Sequence, residues 1–316
     1  MPALPPAMPL LRRLARLAAA LPCALALAAP SAARAQALQA PPAVEDLRHA
    51  LFDAEWQPVR ALRDEPAYTA RLVGYRSAGL SVRAMVATPR KPAPPSGYPV
   101  LVACRGFHPQ PSRYGIGADG VDARPGDYYR RIPALYAARG FVVLVPDYRG
   151  HSDSEGAAYT GRRDSSAFYA HDVLAALPGL RRLPGVDLGR VYLWGHSLGA
   201  EVALRVLLAS ELFAAATLWS SVDSSGLAPQ LDPLQHLGQL GVAVLVHHAR
   251  GDATTPHSNS ERLAAALARH GRLQQFHSYA GEQHLFEGEA LELAVDRDTS
   301  FLLSRPSRPA APAARS

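Results

Sequence analysis

The chain holds 316 residues, 48% of them hydrophobic, with a formal net charge of +6. That length fits one large α/β domain or two small ones, and the apolar share supports a sizeable core and excludes a low-complexity chain. Residues 1–35 carry four arginines (Arg12, Arg13, Arg16 and Arg34) and no acid. Without them 29 basic residues face 27 acidic ones, a net of +2 that gives no support to nucleic-acid binding.

Taken in chain order, residues 1–35 read as a secretory signal peptide. The arginines form a basic start, Leu17–Ala29 is a short apolar stretch broken by Pro22, and Ala33-Arg34-Ala35 is an A-x-A cleavage signal before Gln36. The apolar stretch is too short to span a membrane stably, so export to a periplasm or the outside is expected, with no stable membrane insertion after cleavage. Cleavage would remove Cys23 and leave Cys104 as the sole cysteine, so no intramolecular disulfide is available. Cys104 ends the apolar run Val100–Cys104 and reads as a small buried hydrophobe.

Residues 36–65, Pro/Ala-rich and then amphipathic, predict one or two helices packed on the outside. Ala70–Val86 alternates around Ser77-Ala78-Gly79 and predicts a hairpin of two edge strands within residues 66–90. Lys91–Gly97 is a Pro-rich surface loop. Beyond it, six apolar strands (Val100–Ala103, Phe141–Val145, Val191–Trp194, Ala214–Trp219, Val242–Val246, Gln275–Tyr279) alternate with five helical patterns (Asp127–Arg139, Asp164–Leu177, Leu198–Ser210, Ser258–His270, Leu285–Leu303). Short continuous apolar strands between helices imply parallel pairing with both faces covered. The prediction is an α/β fold with a doubly wound, mostly parallel sheet, forming one domain over residues 36–303 with its core at 95–303. Residues 304–316 read as a disordered tail.

The chemistry centres on Trp194-Gly195-His196-Ser197-Leu198-Gly199. This G-x-S-x-G lies between an apolar strand and a helix, the setting of a nucleophile elbow. A serine hydroxyl needs a base, and the base an orienting acid. Hydrolases built on this elbow place acid and then histidine at later strand ends. Asp252 follows Val242–Val246 and His284 follows Gln275–Tyr279, which predicts the triad Ser197, Asp252 and His284. Asp223 is a fallback acid, and His257 and His277 are weaker bases. Gly150-His151-Ser152-Asp153-Ser154 lacks the second glycine and is a decoy. For the oxyanion hole, position selects the Leu198 amide, and Gly106 in Arg105-Gly106-Phe107 points to the Phe107 amide. His247, His248, Asp252 and His257 lie close in sequence, but adjacent strand histidines face opposite ways. No metal is therefore expected.

These motifs resemble the α/β-hydrolase superfamily, in particular the catalytic domain of the prolyl-oligopeptidase family and its dienelactone-hydrolase-like neighbours. The resemblance covers residues 95–303. It rests on Val145-Pro146-Asp147-Tyr148-Arg149-Gly150 with Ser152 and Gly156, on the elbow, on Arg250-Gly251-Asp252 before Thr255-Pro256, and on the His284 loop. It implies a serine hydrolase cleaving peptide, amide or ester bonds of a small-molecule ester or short peptide through an acyl-serine, without cofactor. Two departures stand out. Arg105 occupies the place of the family's usual oxyanion-loop histidine, and the propeller of true oligopeptidases is not found in the short stretch ahead of the core. The Trp219–Val242 interval leaves no room for a large lid, and Phe107–Gly126 is expected to line one wall of the site. The competing readings are a carboxylesterase of small or aromatic acyl groups without peptidase activity, an acyltransferase of the same fold, and a non-catalytic binding protein on a hydrolase scaffold.

Overall fold

A computed structural model describes residues 39–62, 65–113, 128–224 and 226–308. The predicted signal peptide and most of the Phe107–Gly126 loop lie outside these residues. Among the described residues nine strands form one sheet, in the order β1-β2-β3-β5-β4-β6-β7-β8-β9. They are β1 Gln57–Ala61, β2 Tyr68–Ser77, β3 Leu80–Pro89, β4 Tyr98–Cys104, β5 Val142–Pro146, β6 Val186–His196, β7 Phe213–Trp219, β8 Ala243–Ala249 and β9 Leu273–Tyr279. The pairs from β1 to β3 and from β3 to β5 are antiparallel, and all pairs from β5 across to β9 are parallel. The doubly wound, mostly parallel prediction therefore holds.

Among the described residues six α-helices form: α1 Val44–His49, α2 Tyr128–Ala138, α3 Ser165–Ala176, α4 Leu198–Ala209, α5 His257–Arg269 and α6 Gly288–Leu303. They cover both faces of the sheet, which divides the buried side chains by the two-residue period of a strand. Along β4, Val100, Val102 and Cys104 pack with α1, α3, α4 and α5, while Leu101 and Ala103 pack with α2 and α6. Cys104 is buried, as expected, and burial pushes its thiol up to about 12.

The N-terminal reading needs correction. Of the one or two helices predicted for residues 36–65, the described residues 39–62 hold one, the short α1, followed by a strand that the sequence reading did not include. β1 carries no apolar period, because four of its five residues are exposed. It lies at the sheet's edge, where Pro58 costs no ladder hydrogen bond on the open side. Because β1 takes that edge, the predicted hairpin β2–β3 is internal. It turns at Ala78-Gly79, both at positive φ (47° and 83°). The predicted tail is held as far as Arg308, whose amide donates to the Gly189 carbonyl at 2.8 Å and whose Nη1 donates to the Phe213 carbonyl at 2.8 Å.

β4 has β5 on one side and β6 on the other. The chain thus reverses its winding direction between β4 and β6, and a crevice opens at the carboxyl ends of such a pair. The loop after β4 and the turn after β6 form its two walls.

Candidate active site

Ser197 sits between β6 and α4 at φ 58°, ψ −125°. A non-glycine residue there stores roughly 1–3 kcal/mol of strain, and such strain persists only where the surroundings fix it. The turn is fixed from several sides. The Ser197 amide donates to the Trp219 carbonyl at 2.9 Å, and the Ser197 carbonyl accepts from the Ala200 amide at 2.9 Å. Both motif glycines are required by space. A Cβ on Gly195 would lie 2.6 Å from the Gly199 carbonyl oxygen, and one on Gly199 would lie 2.6 Å from that of Arg105. The Leu198 amide opens α4, where first-turn N–H groups lack intrahelical partners and face incoming negative charge.

Asp252 lies in the loop after β8, fully surrounded by donors. Its Oδ1 accepts from the amides of Thr254 at 2.8 Å and Thr255 at 3.0 Å. Its Oδ2 lies 2.7 Å from His284 Nδ1 and 3.0 Å from Thr255 Oγ1. Burial alone would raise this carboxyl, but the hydrogen bond from His284 and those from the threonine amides hold it below the ordinary range. A carboxylate only accepts, so His284 Nδ1 donates the hydrogen of this contact, and Nε2 is the nitrogen turned away from Asp252.

His284 follows β9 and is clamped from the elbow side as well. His196 Nε2 reaches the His284 carbonyl at 2.8 Å, and the two rings lie 4.6 Å apart between centroids. The structure thus brings the predicted acid and base into direct contact and ties the base to the residue preceding Ser197. Among the described residues no hydrogen bond links Ser197 Oγ to His284. Such bonds are often long in ligand-free sites and tighten only when substrate binds.

Across the crevice, Gly106 packs against the elbow, so that an added Cβ would lie 3.0 Å from Ser197 Cβ. Phe107 follows it, 53% exposed. Arg105, in the place of the usual histidine, is buried and turned under this loop. Its guanidinium donates to the Asp147 carbonyl, lies 3.5 Å from Asp147 Oδ1, and sits 4.4 Å over the Tyr148 ring. The Tyr148 hydroxyl donates to the Arg105 carbonyl at 3.2 Å. Asp147-Tyr148 therefore braces the loop from below, a role that no spacing rule reveals.

The fallback residues are engaged elsewhere. Asp223 pairs with Arg262 at 2.9 Å. His257 begins α5 and its Nε2 lies 2.8 Å from Ser278 Oγ. His277 lies within β9 beside His247, their rings 5.1 Å apart. His247 and His248 face opposite sides of the sheet, toward Tyr279 and Asp298 on one side and Ser260 and Asp252 on the other. Among the described residues no cluster of three or more acidic, histidine or cysteine side chains could hold a metal. Three side chains at the site were not assigned to it from sequence: His196, Thr255 and His248. All three touch Asp252 or His284 from another segment: His196 ends β6, His248 lies in β8 and Thr255 in the loop after it, and strand alternation sets a side chain's face without naming the partner it meets there.

Comparison with known proteins agrees with the fold. Residues 119–299, more than half the chain, match the profile of the Dienelactone hydrolase family. The chain is 31% identical over 179 residues to Esterase FrsA of Citrobacter koseri, covering 56% of this chain and 37% of that protein. It is 30% identical over 130 residues to the uncharacterized peptidase YtmA of Bacillus subtilis, covering 41% and 42%. It thus spans less than half the length of these relatives. The uncomplexed acylaminoacyl peptidase of Pyrococcus horikoshii superposes with a TM-score of 0.60 at 17% identity, over 80% of this chain and 44% of that one. At that identity the likeness concerns the fold.

Proposed function

The chain belongs to the Dienelactone hydrolase family, and on that premise we propose that it is a serine hydrolase cleaving carboxylic esters or amides through an acyl-serine. Ser197 Oγ attacks the carbonyl carbon. His284 Nε2 takes the serine proton and passes it to the leaving group, while Asp252 keeps Nδ1 protonated and the ring aligned. The Leu198 and Phe107 amides donate to the oxygen as it becomes an anion. Water, activated by the same imidazole, then releases the acid and restores Ser197. The observation that carries this reading is the 2.7 Å contact between Asp252 and His284, tied through His196 to a strained serine. The sequence of residues 1–35 supports export of the mature enzyme.

Between substrates, esters are the favoured reading, since the matched family is named for hydrolysis of a lactone, an internal ester. Incubation with a fluorophosphonate probe should label wild type and not Ser197→Ala; an unlabelled wild type refutes the mechanism. A panel of chromogenic esters and aminoacyl amides then separates esterase from peptidase. Turnover of the amides alone would overturn the ester reading.

A further inference from the structure

A second histidine reaches the carboxylate that orients His284. His248, the sixth residue of β8, is buried, and its Nε2 lies 3.1 Å from Asp252 Oδ2 and 3.0 Å from the Thr255 carbonyl. Its Nδ1 lies 2.7 Å from Ser260 Oγ on α5. That hydroxyl accepts from the Ser221 amide at 3.3 Å, so its own proton is free to point at His248 Nδ1. The tautomer follows: Nδ1 accepts, and Nε2 carries the hydrogen that the Asp252 carboxylate and the Thr255 carbonyl share.

We propose that His248 is a positioning residue, donating from Nε2 to Asp252 Oδ2 and so fixing the oxygen that holds His284. The proposal rests on the hydrolase reading above. Oδ2 then accepts from His284, His248 and Thr255, and Oδ1 from two amides, so the carboxylate has no freedom to rotate away from the base. The added donor also stabilises the charged form of Asp252, the form that accepts from His284. The arrangement requires a neutral His248. Burial pushes its protonation below the ordinary range, with the neighbouring His257 adding to this against Thr255 and Asp252. The ionisable groups facing the pair are Asp252 and His257, whose ring lies 5.4 Å away, with His196 beside His284. Glu261 sits 3.3 Å behind His257.

The test follows the rate of fluorophosphonate labelling of Ser197 in the full chain from about pH 5 to about pH 9, a range spanning histidine titration. Wild type is compared with His248→Gln and His248→Leu, and each is melted by circular dichroism. Gln sets an amide donor where Nε2 stood; Leu sets none. The expected result is labelling about tenfold slower at neutral pH in the Leu variant, as for a lost hydrogen bond to a charged group. Its acidic limb should move to higher pH, with Gln restoring most of both. A Leu variant that folds and keeps the wild-type rate and limb overturns the proposal, as does equal loss in Leu and Gln, which would make the ring a space-filler. Should the Leu variant not fold, Ser260→Ala removes the donor that sets the tautomer. It should shift the limb the same way, and an unmoved limb overturns the proposal. Failure of the hydrolase reading looks different, since wild type itself would then go unlabelled.

Discussion

Replacing Gly199 by alanine tests whether the site depends on how closely α4 abuts β4. The added Cβ would fall far inside the contact distance to the Cys104 carbonyl oxygen, 2.5 Å from its carbon and 2.6 Å from the Arg105 carbonyl oxygen. All three are backbone atoms, which cannot rotate aside. Taking 3.0 Å as the shortest real Cβ contact, the head of α4 must retreat by about 0.5 Å from the carbon alone, and further from the oxygen. Overpacking of this kind costs about 1–3 kcal/mol. The larger effect falls on rate, because the retreat moves the Leu198 amide and Ser197 away from Gly106. Misplacement approaching 1 Å costs roughly 100-fold. Gly241→Ala is the control, since nothing lies within 4 Å of its added Cβ and its φ is not positive. Labelling rate and melting temperature, measured together, should show Gly199→Ala slowed about 100-fold with a melting point lowered by several degrees, and Gly241→Ala unchanged. A Gly199→Ala enzyme with wild-type labelling would refute the claim that the helix head is held at closest approach.

Three further outcomes follow from the same geometry. Phe107→Ala should keep labelling of Ser197 with stability within about 0.5 kcal/mol, because the assigned donor is backbone; Phe107→Pro removes that N–H and should slow turnover about 100- to 1000-fold. Asp298→Ala removes the acceptor of the Tyr136 hydroxyl (2.6 Å) and of the Thr217 hydroxyl (2.5 Å) and leaves the Trp219 indole (3.0 Å) with the Thr217 oxygen at 3.2 Å, and should lower stability by about 3–5 kcal/mol in urea melts, with Asp298→Asn costing less. Acid should destabilise the fold in two steps. His277 is lowered to about 4 by burial and by the positive charge of its neighbours; from the ordinary histidine value down to about 4 the unfolded chain binds a proton that the folded chain does not, so stability is full above that window and falls through it. Asp252 is held low in the folded state, and its contribution disappears as pH drops through its folded value. Melting temperature against pH should therefore decline through the first window, and His277→Gln should flatten that part of the curve.

What the sequence disclosed, and what it hid, follows from where each residue's partners lie. β5, with all five residues buried, reads as an unbroken apolar run, the mark of a parallel strand covered on both faces. That signal is local, as are the elbow glycines and the loops carrying Asp252 and His284. β1 failed the same test because it is exposed, and its partner β2 alone makes it a strand. The side chains that brace the site are farther from legibility still. Asp298 sits in the middle of α6, where an acid normally marks a solvated face, yet it is fully buried and bonded to Thr217, 81 residues earlier. Arg105 reads as a lost oxyanion histidine, and only the burial of Asp147 and Tyr148 beneath it reveals a brace under the loop. His248 reads as half of a histidine pair that could suggest a metal, and the alternation of β8 sends it to Asp252 while sending His247 to Asp298. In each case the chemistry is set by a contact between separate loops or faces of the sheet. The proposed reacting groups announce themselves by motif, whereas the groups that hold them in place are found only through the fold.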